Sequence, residues 1–218
     1  NGMMPRIKIC CIGSVAEAQL AIAHGASALG LVSEMPSGPG VIPDDLITTI
    51  AAAVPKFIGT FLLTSRRESA PIVEHIRSCG TNTVQLVDAV GENVDQDIRR
   101  ELPDIRIVQV VHVTGDAGVE EAPRIAGRVD ALLLDSGNPT LEVKELGGTG
   151  RTHDWNRSRQ IVESVKCPVF LAGGLSPGNI LDAVRQVQPY GVDICSGVRS
   201  EGRLDPVKLT DLFATIRR

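Results

Sequence analysis

Aromatic residues are scarce in this chain, 3% of its 218 positions, and basic charge is not in excess: 22 Lys and Arg stand against 26 Asp and Glu. A nucleic-acid groove needs a basic face and stacking platforms, so no nucleic-acid partner is expected. No apolar run approaches the ~20 residues of a membrane span, and no membrane association is expected. The chain has no CxxC pair. Its five cysteines, Cys10, Cys11, Cys79, Cys167 and Cys195, are odd in number and read as reduced thiols of a cytoplasmic protein. His24, His75, His112 and His153 are scattered without HExxH or similar spacing, and no metal site is expected. A GxGxxG fingerprint is also missing after the first apolar run, which argues against an open dinucleotide-binding sheet. Asn1-Gly2 ahead of Met3-Met4 reads as a cloning remnant and start, with no signal-peptide pattern. The fold is expected over residues 5–218 as a single domain.

What the chain does have is a regular alternation of short apolar runs and amphipathic stretches. "IKICC" precedes "SVAEAQLAIAHG", where Ser14 is placed to cap a helix and Gly25 to stop it. "ALGLV" is followed by a Pro/Gly-rich loop and "PDDLITTIAAAV"; "KFIGTFLL", "TVQLV", "IRIVQVVHV", "ALLLD", "VFLAGG" and "VDICSGV" each lead into a further helical pattern. Eight strand–helix units of roughly 27 residues predict a closed parallel (β/α)8 barrel, with the doubly wound sheet as runner-up.

Active sites of such barrels lie at the C-terminal ends of the strands. The polar residues there are Lys8 and Cys10 on the first strand, Asp135 on the sixth, and Asp193 and Cys195 on the eighth. Strand alternation puts Lys8 and Cys10 on one face and Ile7, Ile9 and Cys11 on the other. An ammonium beside a thiol in an apolar strand costs stability unless the pair is used, and a nearby ammonium favours the thiolate. After the seventh and eighth strands come "LAGGLSPGN" and "CSGVR". Loops in these two places hold phosphate in many barrels, and Gly173, Gly174 and Gly197 would let backbone N–H groups approach its oxygens.

With "KIC", "LLLDS…GGTGRTHDW", "LAGGLSPGNI" and "GVDICSGV" in this order, the chain resembles the phosphoribosylanthranilate isomerases of tryptophan biosynthesis, essentially from Pro5 to its end. The resemblance implies an Amadori rearrangement of a phosphorylated sugar amine, with no cofactor and no metal. Cys10 would act as general base and Asp135 as general acid. Lys8, Gly173, Gly174, Asp193, Ser196 and Gly197 would make up the substrate- and phosphate-binding set, with Asp193 near the sugar hydroxyls. Such an enzyme would be a monomer or homodimer.

Two stretches depart from the family pattern. The loop "SEMPSGPGVI" after the second strand has no Lys or Arg where the family carries a carboxylate-gripping arginine, and Val87 stands in place of a histidine in "QLVDAV". Arg66, Arg67 and Arg151 are the candidates by position for a cation that replaces it. An isomerase acting on another phosphoribosyl amine, or a non-catalytic phosphosugar-binding barrel, are the alternatives.

Overall fold

A computed structural model describes residues 4–135 and 154–218. Residues 1–3, the "GGTGRTH" stretch after the sixth strand, Arg151 and His153 lie outside the described residues. Eight parallel strands close into a barrel: β1 (Arg6–Ile9), β2 (Ala28–Val32), β3 (Gly59–Thr64), β4 (Thr83–Leu86), β5 (Arg106–His112), β6 (Ala131–Asp135), β7 (Val169–Leu171) and β8 (Gly191–Ile194). Helices α1 (Val15–His24), α2 (Asp44–Ala53), α3 (Ser69–Cys79), α4 (Val94–Glu101), α5 (Asp116–Ala126), α6 (Trp155–Ser164), α7 (Ile180–Val187) and α8 (Pro206–Ile216) follow the strands in turn. The expected (β/α)8 barrel is therefore observed. No helix among the described residues is long and apolar enough to cross a membrane.

The helix signals read from the sequence operate as expected. The Ser14 hydroxyl accepts from Glu17 N–H at 3.1 Å, and Gly25 takes a left-handed φ of 115° that lets its N–H reach back to the last turn of α1.

Two apolar layers hold the barrel. The larger joins the outward faces of the strands, such as Ile7, Ile9, Leu29 and Leu62, to the helix faces of Ile47, Ile72, Ile98 and Leu209. The smaller fills the inside of the barrel with Phe61, Leu63, Val108, Leu133 and Phe170. Phe61 and Phe170 meet edge to face at 5.8 Å, which plugs the lower half and leaves the C-terminal end for polar groups.

Closure puts the first strand beside the last, with Lys8 directly opposite Asp193. The Lys8 ammonium, completely buried, donates to Asp193 Oδ2 at 2.9 Å and lies 5.1 Å from the Phe61 ring centroid. Burial opposes the ammonium, but the negative charge of Asp193 and of Cys10 outweighs it and raises the Lys8 pKa above its ordinary value.

Candidate active site

A pocket opens at the C-terminal end of the barrel, between the loops after β1, β2, β7 and β8. Cys10, Gly173, Gly174, Asp193 and Ser196 line it together with Asp135. Six of the eight expected site residues thus converge on one cavity.

The remaining two sit elsewhere. Lys8 was expected at the mouth beside Cys10, but it lies one layer deeper, beneath the pocket, because it precedes Cys10 by two residues on an inward-facing strand. It reaches the site through its hydrogen bond to Asp193 and through its charge on Cys10. Gly197 packs the β8 loop onto the β7 loop: a Cβ there would sit 2.0 Å from the Leu175 carbonyl oxygen. Only glycine permits that approach.

Cys10 is 7% exposed, and its sulfur occupies the space above Gly30 of β2, where a Cβ would come within 2.5 Å of it. Cys11 corrects the expectation from strand alternation. The alternation stops at Ile9; Cys10 N–H still bonds the Ile194 carbonyl, and Ile12 N–H the Gly30 carbonyl, but Cys11 between them has φ 60°. That left-handed kink swings Cys11 back onto the pocket instead of into the helix layer. The conformation costs a non-glycine residue on the order of 1 kcal/mol or more, so the surroundings must impose it.

Arg199, which the sequence reading passed over, provides the restraint. Its Nη2 donates to the carbonyls of Cys10 (3.1 Å) and Cys11 (2.5 Å), while Nη1 pairs with Glu17 Oε2 at 3.1 Å. Glu17 also accepts from the N–H groups of Gly13 and Leu204, each at 2.8 Å. The sequence signal was the arginine closing "CSGVR", but its partner on α1 is visible only in three dimensions.

The electrostatics favour a thiolate at Cys10. Its pKa is lowered first by a hydrogen bond from the Cys11 thiol, against the opposing effect of burial, and then by the charge of Lys8 below. The Cys11 thiol also lies 3.7 Å from the Pro39 carbonyl; its pKa is driven up by the contacts with Cys10 and Cys195 and by burial, so it stays protonated. Asp135, 8% exposed, ends β6 on the pocket lining, paired in register with His112 of β5. His112 itself points its Nε2 at the Val87 carbonyl, 3.0 Å away, and does not line the pocket.

At the β7 loop, Gly173 and Gly174 adopt φ 92° and 65°, turning the chain sharply. Asn179, just before α7, braces the turn: its Oδ1 accepts from Ser176 N–H and its Nδ2 donates to the Gly174 carbonyl, both at 2.9 Å. On the opposite side the lining is neutral: Met35, Ser37, Gly38 and Pro39 from the β2 loop, with Leu63 and Val87. Arg66 and Arg67 are turned away, bonded to the carbonyls of Pro71 and Ala89.

Comparison with known proteins accounts for this geometry. The family model described as N-(5'-phosphoribosyl)anthranilate (PRA) isomerase matches residues 7–215. The chain belongs to the PRA isomerase family. It is 33% identical to the N-(5'-phosphoribosyl)anthranilate isomerase of Methanocella arvoryzae over 96% of each chain. It is 36% identical to that of Haloferax volcanii, covering 91% of this chain and 86% of the relative. Among solved structures, the phosphoribosyl anthranilate isomerase of Thermotoga maritima superimposes with a TM-score of 0.80 at 26% identity, covering 98% and 99% of the two chains. A second, in complex with reduced 1-(o-carboxyphenylamino)-1-deoxyribulose 5-phosphate, gives 0.78 at 25% identity with 98% and 99% coverage.

Proposed function

We propose that this barrel catalyses the Amadori rearrangement of N-(5'-phosphoribosyl)anthranilate to 1-(o-carboxyphenylamino)-1-deoxyribulose 5-phosphate. The observation that carries the reading is the placing of Cys10 and Asp135 on one pocket with the β7 and β8 glycine loops. Asp135 gives a proton to the furanose ring oxygen, and the ring opens to an iminium. The iminium acidifies the sugar C2 proton, and the Cys10 thiolate removes it. Electrons from the C2–H bond then form the enaminol, which takes a proton from solvent at C1 and gives up its C2 hydroxyl proton to solvent as it relaxes to the ketose. Cys10 then releases its proton to solvent and Asp135 regains one. Cys11 and Lys8 serve by keeping Cys10 deprotonated, and Arg199 by holding the backbone that presents it. Gly173, Gly174 and Ser196 hold the phosphate, with Gly197 shaping their loops, and Asp193 faces the sugar hydroxyls while pairing with Lys8. The reaction needs no cofactor, and we place it in the cytoplasm, in a monomer or homodimer.

A second reading concerns the aglycone. Among the described residues no cation lines the side of the pocket that would receive an aromatic carboxylate, and a charge-assisted bond to such a group is worth about 1.5–3 kcal/mol. An isomerase of the same type acting on a neutral phosphoribosyl amine fits that lining too. Turnover of freshly generated phosphoribosylanthranilate, followed by its loss of fluorescence, tests the first reading. Calorimetric titration separates the two: the reduced anthranilate-bearing product analogue binds far more tightly than ribose 5-phosphate under the first, and no more tightly under the second.

A further inference from the structure

Away from the pocket, on the outer wall of the barrel, three side chains of metal-ligating type converge. His75 and Cys79 lie four residues apart on α3 and so share one face of it. Asp44, the first residue of α2, meets them from the neighbouring helix. The imidazole nitrogen, thiol sulfur and carboxylate oxygen all lie within 4.8 Å of one another, with His75 Nε2 only 3.1 Å from Asp44 Oδ2. We propose that Asp44, His75 and Cys79 form a binding site for a borderline-soft divalent cation of the Zn2+ class.

Four observations on these residues support the site. His75 is 3% exposed, and its Nε2 makes no hydrogen bond despite the nearby carboxylate oxygen, which lies off the bonding direction. A buried polar nitrogen without a partner costs free energy that a cation would recover. Its other nitrogen, Nδ1, is bonded to Thr64 Oγ1 at 3.1 Å, the outer contact that fixes ring and tautomer in histidine–metal sites. The helices are also pinned together beside the cluster, where Thr48 Oγ1 donates to the Ser78 carbonyl at 3.0 Å. Finally, the Asp44 side chain is 47% exposed while His75 is buried, so a water molecule can complete a fourth position from the solvent side.

The donor set selects the cation. One imidazole, one thiolate and one carboxylate suit Zn2+ or Co2+, whereas Mg2+ and Ca2+ prefer oxygen ligands throughout. Bonds of about 2.0–2.3 Å place tetrahedral ligands roughly 3.3–3.8 Å apart, so the His75–Asp44 pair at 3.1 Å would open slightly and separations near the 4.8 Å bound would close. Binding converts the Cys79 thiol to a metal-bound thiolate and releases its proton to the buffer. In the metal-free protein that thiol is kept protonated by burial and by the Asp44 charge. Sequence spacing did not reveal the site because one ligand comes from a different helix.

The test is titration of the reduced wild-type protein with Co2+, reading the near-ultraviolet thiolate-to-cobalt charge-transfer band, followed by displacement with Zn2+. The expected result is one equivalent of cobalt, a band abolished in Cys79→Ser, and affinity reduced about tenfold or more in Asp44→Asn. Asp44→Asn changes a half-exposed side chain, so it keeps the test valid if the Cys79 variant fails to fold. Zn2+ should also raise the thermal midpoint of the wild type more than that of Asp44→Asn. Absence of the band, its survival in Cys79→Ser, or equal affinity in Asp44→Asn and wild type would each overturn the assignment.

Discussion

Replacing Lys8 with methionine isolates the ion pair on which the floor of the pocket rests. The ammonium is completely buried, Asp193 is 8% exposed, and they meet at 2.9 Å. Methionine fills a similar volume against Phe61, so the chief effect is a carboxylate left buried without its cation. Breaking such a pair from one side costs about 3–5 kcal/mol, a large share of the roughly 5–15 kcal/mol that holds a typical domain. At a urea slope of about 3 kcal/mol/M, the unfolding midpoint should fall by about 1–1.7 M. The double variant Lys8→Met/Asp193→Leu removes both charges and should return to within about 2 kcal/mol of the wild type, because the penalty belongs to the orphaned charge. The measurement is urea unfolding followed by circular dichroism for wild type, both single variants and the double. A Lys8→Met loss below about 1 kcal/mol, or a double variant as unstable as the single, would refute the reasoning.

Further outcomes follow from the same geometry. Cys11→Gly relieves the φ 60° strain but deletes the thiol hydrogen bond that most lowers the Cys10 pKa. A base works only when deprotonated, so the acid limb of the kcat/KM–pH profile should move to higher pH; an unmoved or downward-shifted limb contradicts the role given to Cys11. Gly197→Ala drives a Cβ toward the Leu175 carbonyl, 2.0 Å away. It should displace the β7 loop and weaken ribose 5-phosphate binding about tenfold or more, a shift of about 1.4 kcal/mol; calorimetric titration showing unchanged affinity would count against the phosphate loops as drawn.

The barrel itself was legible because each unit carries its own local signals. Ser14 and Gly25 bracket α1 by capping chemistry, and the apolar run of "ALGLV" marks β2 without help from tertiary contacts. That Cys10 and Asp135 face one pocket was legible from their positions at the C-terminal ends of the first and sixth strand segments. What escaped depended on atoms brought together by closure or on local backbone strain. Cys11 was put on the wrong face since alternation holds only while the chain stays extended, and here it ends at Ile9. The depth of Lys8 follows from barrel layering around Phe61. The Arg199–Glu17 brace spans the two ends of the chain, and nothing in either local stretch announces its partner.

The central claim is that Cys10 and Asp135 divide the proton transfers. Steady-state turnover of phosphoribosylanthranilate by Cys10→Ala and Asp135→Asn, beside wild type, tests it most directly. Each variant should stay folded, keep its affinity for ribose 5-phosphate, and lose about 10²–10⁴-fold in kcat. Turnover within about tenfold of wild type in either variant would contradict the assignment of that residue as acid or base.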